Sequence, residues 1–73
     1  MIAQVSYYPR GGAAAGPLQV ARVSINYEAY DKKFSATNLQ LWGCGKMASS
    51  PEGAVRNLVQ DMAVIVSIEI VSA

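Results

Sequence analysis

The chain has 73 residues, a length that fits one compact domain, and we predict a single domain over residues 1–73. Apolar residues make up 52% of the sequence and charged residues 15%, a balance that excludes a disordered chain. A net charge of +1 excludes a strongly basic nucleic-acid-binding arm, and the lack of histidine excludes histidine-based catalysis and histidine-ligated metals.

The first predicted element is a strand over Ile2–Tyr8, where apolar and polar residues alternate. Pro9 ends this strand. The segment 10–17 is rich in glycine, proline and alanine, and it is predicted to be a loop. This loop is either a mobile connection or a recognition loop, and its composition does not decide between the two.

A β-hairpin is predicted next. The longest alternation in the sequence indicates a strand over Leu18–Tyr30, whose buried face carries Ala21, Val23, Ile25, Tyr27 and Ala29. A polar turn over 31–33 leads into a strand over Phe34–Leu41. The apolar positions change face within this third strand, which predicts a bulge or twist near Asn38.

The run Ser49-Ser50-Pro51-Glu52 predicts the start of a helix. Either Ser50 is the N-cap, with Pro51 at the first helical position, or Ser49 is the cap and forms a capping box with Glu52. We expect the helix to continue to about Ala63. Its apolar stripe is formed by Ala54, Val55, Leu58, Val59 and Met62.

A final strand is predicted over Val64–Val71. Its wholly aliphatic face should pack under the helix, and this face comprises Val64, Val66, Ile68 and Ile70. The second face carries Ile65 and Glu69. The predicted fold class is therefore α+β with the order β-β-β-α-β, one helix packed on a mainly antiparallel four-stranded sheet.

The sequence predicts no enzyme, because it contains no recognisable set of acid, base and nucleophile. Cys44 is the one thiol, and we interpret it as a small buried side chain in a tight turn between two glycines. A single cysteine favours a reducing, cytoplasmic location. No cofactor, metal or membrane association is expected.

The expected function is therefore binding to a protein. Eleven of the 38 apolar residues are alanine, so large core side chains are scarce and self-association as a homodimer through strands is expected. Exposed aromatic residues, neighbouring cations and the second face of the last strand supply the candidate partner-binding residues: Tyr8, Arg10, Tyr30, Trp42, Lys46, Ile65 and Glu69.

The segment Gly43–Leu58, GCGKMASSPEGAVRNL, resembles the HicB-like antitoxin domain. The matching features are the Gly43-Cys44 pair, a capping hydroxyl at Ser50, the following Pro51-Glu52, then Ala54 and the pair Asn57-Leu58. The sequence departs from the family pattern at Ala48, Ser49 and Gly53.

Over about residues 20–71, this resemblance implies a partial RNase-H-like β-β-β-α-β fold. It also implies a non-catalytic function, the masking of a small toxin-like partner such as a HicA-like mRNA interferase. No DNA-binding module of the family is expected here. The alternative is a small-ligand or nucleotide-binding accessory protein of a mobile element, in which loop 10–17 and the neighbouring aromatic residues would hold the ligand.

Overall fold

A computed structural model describes residues 1–72, which form five strands, one α-helix and one short 3₁₀ helix. The elements in chain order are β1 (Ile2–Pro9), the 3₁₀ helix (Gly12–Ala15), β2 (Gln19–Glu28), β3 (Lys33–Asn38), β4 (Gly43–Cys44), α1 (Pro51–Val59) and β5 (Ala63–Ser72). The predicted α+β class is confirmed. The segment 10–17, predicted to be a loop, includes the 3₁₀ helix.

The strands form one sheet in the order β4-β3-β2-β1-β5, and every neighbouring pair is antiparallel. The prediction of four strands is wrong by one, because it omits β4. That strand has two residues, which pair with Thr37 and Asn38 of β3. Two residues are too few to show an alternation of polar and apolar positions, so the sequence pattern does not reveal β4.

One face of the sheet carries the core. Val5 lies opposite Ala21 and Ala3 lies opposite Val23, and all four side chains are buried. Burial of Ala21, Val23 and Ile25 confirms the predicted inner face of β2. Tyr27 was expected on the same face but is 56% exposed. It lies near the end of β2, where its ring packs beside the partly buried Phe34 with the centroids 5.0 Å apart.

Helix α1 closes the core over β3 and β2. Its start confirms Ser50 as the N-cap, because the Ser50 hydroxyl accepts a hydrogen bond from the backbone N–H of Gly53 at 3.0 Å. Four buried residues form its apolar stripe, namely Ala54, Val55, Leu58 and Val59. The predicted end at Ala63 is wrong, since the helix ends at Val59. Gln60 has a φ of 51° that interrupts the helix, and Ala63 instead opens β5, opposite Pro9.

The two glycines around Cys44 have different structural roles. Gly43 has a φ of 79°, in the left-handed region that glycine tolerates best. Gly45 lies against the helix backbone, where a Cβ atom would come within 2.6 Å of both Cα and N of Leu58. Gly45 is therefore required by the close packing of the β4 segment on α1.

The prediction of a bulge or twist near Asn38 is wrong, because a turn begins at this residue. β3 ends at Asn38, whose side-chain oxygen accepts hydrogen bonds from the backbone N–H groups of Gln40 and Leu41 at 3.1 and 3.0 Å. Trp42 then packs edge-on against Tyr7, with the ring centroids 5.0 Å apart. The apolar residues after Asn38 change face because the strand has ended there.

The assignment of faces in the last strand is wrong in part, although Ile68 packs against the core as predicted. The β1–β5 register shifts between Ser6 and Tyr7, so that Tyr7 lies opposite Ile65 while Ser6 lies opposite Ser67. This bulge inserts Val66 and reverses the alternation. Ile65 and Ile68 consequently pack against the core, whereas Val64 and Val66 are 47% and 56% exposed.

Candidate functional site

The two edges of the sheet differ in length. One edge is β4, with only two residues. The other is β5, a strand of ten residues that pairs with β1 alone. Very short edge strands protect a sheet from unwanted pairing, whereas a long edge strand presents a row of unpaired backbone groups. The candidate site is therefore the side of β5 that faces away from β1, which we name the β5 edge.

The backbone hydrogen bonds determine which residues point at this edge. The N–H of Ile25 in β2 donates to the carbonyl of Met1 at 2.8 Å, next to the start of β1. Alternate residues of an antiparallel strand direct their N–H and C=O groups to opposite sides. The backbone groups of odd-numbered residues of β1 therefore form hydrogen bonds with β2, and those of even-numbered residues form hydrogen bonds with β5. The even-numbered Arg22 of β2 points the other way, because its carbonyl accepts a hydrogen bond from the side chain of Asn38 at the end of β3, at 2.9 Å. This direction agrees with the alternation.

The same alternation assigns the backbone groups of β5. Gln4 lies opposite Glu69, and Ser6 lies opposite Ser67. Because the backbone N–H and C=O groups of Gln4 and Ser6 point at β5, the corresponding groups of Ser67 and Glu69 point at β1. Ile68 lies between those two residues and directs its N–H and C=O outward, as does Ile70.

The side chains along this strand are unusually apolar for an edge. Four of them are large, aliphatic and 42–56% exposed: Val64, Val66, Ile70 and Val71. Glu69 is the one charged residue of β5. A second register shift, between Ile2 and Ala3, places another irregularity near Val71. The two irregularities limit the regular part of the strand to residues 67–70.

Half-exposed aliphatic residues remain on the helix side of β5 because of where α1 lies. The helix contacts β3 and β2 and makes no comparable contact with β5. Ile65 and Ile68 are partly buried against the core, but Ile70 is 43% exposed. The β5 edge thus combines free backbone groups with apolar surface on the face that carries the core.

Three of the predicted partner-binding residues lie on the β1–β5 pair. Glu69 and Ile65 belong to β5, and Tyr8 lies on β1 opposite Val64. Ile65 faces the core, so the prediction that it lies on the second face is wrong. Arg10 follows β1, and its guanidinium lies 3.5 Å from the carboxylate of Asp61, where both side chains are largely exposed.

The other three predicted residues are separate from this group. Tyr30 is 98% exposed in the turn between β2 and β3, at the opposite end of β2 from Tyr8. Trp42 is half-buried against Tyr7, and Lys46 lies in the segment whose carbonyls accept hydrogen bonds from Asn57 of α1. Tyr8, Tyr30 and Trp42 therefore do not form one aromatic platform.

The sequence pattern did not reveal the exposed residues that define the β5 edge. It placed Val64, Val66 and Ile70 under the helix, because a regular alternation assigns them to the aliphatic face. A bulge leaves no signal in the alternation itself. The one signal available in the sequence was the scarcity of charge in β5, which has a single charged residue over ten positions.

Cys44 differs from its predicted role as a buried side chain, because it is a free and exposed cysteine of β4. Within residues 1–72, no three residues of the types His, Cys, Asp and Glu are grouped to hold a metal ion. The same part of the chain forms no pocket. None of its helices is long and apolar enough to cross a membrane.

No family model matches this sequence, and neither a curated protein nor a solved structure matches the chain. The resemblance of Gly43–Leu58 to the HicB-like antitoxin domain therefore stays a prediction. The described geometry gives a physical reason for one of the matching residues, since the Ser50 hydroxyl caps α1.

Proposed function

We propose that this protein is a small protein-binding module that uses the β5 edge to pair with a strand of its partner. The observation that carries the proposal is the ten-residue edge strand with outward backbone groups at Ile68 and Ile70 and a single charge at Glu69. An extended segment added to such an edge gains main-chain hydrogen bonds, and apolar side chains on alternate positions add contact area.

The resemblance to HicB-like antitoxins indicates the class of partner, a small toxin-like protein whose surface is masked in the complex. Pairing with an edge strand suits this role, because it requires no catalytic group. A cytoplasmic location, expected from the single cysteine, is part of the same proposal. The alternative of a ligand-binding accessory protein has no feature among residues 1–72 that favours it.

The experiment coexpresses the chain with the product of the reading frame beside its gene. The edge variant is Val66→Lys, since Val66 is 56% exposed and a charge on an edge strand opposes pairing. The control variant is Val20→Lys, because Val20 is 58% exposed but lies on β2. Both variants place the same charge on an exposed valine of a strand.

We expect the wild type and the control variant to copurify with the neighbouring product and to relieve any growth arrest that it causes. The edge variant should lose both activities while keeping the circular dichroism spectrum of the wild type. Failure of the wild type to copurify would contradict the toxin-like partner. Equal copurification by the edge variant would contradict the β5 edge as the binding surface.

A further inference from the structure

We infer that, when no other partner is bound, the β5 edge is occupied by a second copy of this chain, and that the two β5 strands pair antiparallel about a two-fold axis at Ile68. The inference rests on the proposed function, because it uses the same edge. It specifies the occupant and the register, and it makes self-association a competitor of partner binding.

The backbone supports this register. A two-fold axis at Ile68 places Ile68 opposite Ile68 of the second copy, with the outward N–H and C=O groups of each facing the other. Ile70, which also points outward, lies opposite Val66 of the second copy. The paired segment, residues 66–70, then contains the regular part of the strand, residues 67–70, and it is bounded by the inserted Val66 and by the irregularity near Val71.

The side chains support the same register. Ile68 lies opposite the buried Val5, and Ile70 lies opposite the buried Ala3, so both isoleucines are on the face that carries the core. Across the two-fold axis, Ile68 and Ile70 lie beside Ile68 and Val66 of the second copy. The apolar surface therefore continues from one sheet to the other. On the other face, Ser67 lies opposite Glu69 of the second copy, where a hydroxyl can donate a hydrogen bond to a carboxylate.

Neighbouring registers are less favourable. An axis at Glu69 would place two carboxylates directly opposite each other, which destabilises a strand pair. An axis at Ser67 would place Ile65, which packs against the core, opposite Glu69, which lies on the other face. The axis at Ile68 avoids both conflicts.

The net charge of the chain opposes pairing with a second copy only weakly. The chain has a net charge of +1, so two copies repel each other weakly at a distance. Symmetric pairing of identical edges also closes the assembly at two subunits, since neither copy keeps a free β5 edge. The other edge, β4, has only two residues and offers little to a third copy.

The area gained by pairing a single strand is small, and we therefore expect a weak dimer of the transient class. Sedimentation equilibrium from about 1 to 500 µM spans the relevant range of dissociation constants. The mass should rise from 7.8 kDa, that of one chain, toward twice that value. The edge variant Val66→Lys should weaken the dimer at least about tenfold, and the control variant Val20→Lys should not.

The register is tested by cysteine pairing in a Cys44→Ser background, with single cysteines at positions 67, 68 and 69. Cα atoms of directly opposite residues lie about 5.5 Å apart, within the range that a disulfide spans. We expect oxidation to link the Ile68→Cys chains faster than either neighbour. Val64→Cys is the distant control, because the register separates its two copies by about 27 Å along the strands.

The outcomes separate the two proposals. A mass of 7.8 kDa across the whole range overturns the dimer, and copurification with the neighbouring product would still support the proposed function. Fastest linking at position 67 or 69 overturns the register. A dimer that does not dissociate when the neighbouring product binds overturns the competition between the two uses of the edge.

Discussion

Substitution of Gly45 by alanine tests the packing of the β4 segment on α1. The added Cβ would lie 2.6 Å from both Cα and N of Leu58 and 3.0 Å from the carbonyl carbon of Asn57. These are backbone atoms of a helix, so no side-chain rotation can relieve the contact. Leu58 is only 1% exposed, which means that any shift of the helix disturbs the centre of the core.

The expected cost is about 3 kcal/mol, the upper end of the range for an overpacked core. A chain of this size has a total stability of about 4 to 11 kcal/mol, so the loss is a large fraction of it. Gly43→Ala is the matched control. Its Cβ would meet no atom within 4 Å, and its φ of 79° alone should cost about 1 kcal/mol.

Urea denaturation at one fixed protein concentration measures both variants, and the fluorescence of Trp42 follows unfolding because its ring packs against Tyr7. With a slope of about 1 kcal/mol per molar urea, the midpoint should fall by about 3 M for Gly45→Ala and by about 1 M for Gly43→Ala. A Gly45→Ala variant that is no less stable than Gly43→Ala would refute the close-packing account of this glycine.

Three further predictions concern single side chains. Ser50→Ala should lower the free energy of unfolding by about 1 kcal/mol, because it removes the cap on Gly53, and Ser49→Ala should leave it nearly unchanged in the same urea titration. Cys44 should react with a thiol reagent in the native protein at close to the rate in urea, and strong protection would contradict its exposure. Asn38→Ala should cost about 1 to 2 kcal/mol, since its side chain makes three hydrogen bonds to backbone groups, and a neutral effect on the thermal midpoint would count against them.

The elements that the sequence predicts well are those whose local signals agree with the fold. β2 alternates without interruption, and its register with β1 is regular, so Ala21, Val23 and Ile25 face the core as expected. The start of α1 is equally local, because a serine cap and a following proline act within one helical turn.

The elements that the sequence predicts poorly depend on distant parts of the chain. α1 ends at Val59, and Ala63 instead pairs with Pro9, a residue far away in sequence. The role of Gly45 depends on the approach of Leu58, and a glycine has no side chain to indicate what lies beside it.

The candidate site was predicted only in part for the same reason. The sequence indicates that β5 is a long strand with few charges, and it therefore predicts pairing at an edge. The face assignment is wrong for Val64, Ile65 and Val66, because the bulge at Val66 depends on the register with β1. Ile65 packs against the core, where it was not predicted to lie. Val66 is exposed instead, and it is therefore the residue at which a substitution tests the edge.

Amide hydrogen exchange resolved by residue, at protein concentrations below and above the dimer transition, shows directly whether the β5 edge is the binding surface. We expect the N–H groups of Ser67 and Glu69, which point at β1, to be protected at both concentrations. Ile68 and Ile70 should exchange fast in the dilute protein and slowly in the concentrated protein or in the complex with a partner. Equal exchange of Ile68 and Ile70 under all these conditions would contradict the β5 edge as the binding surface.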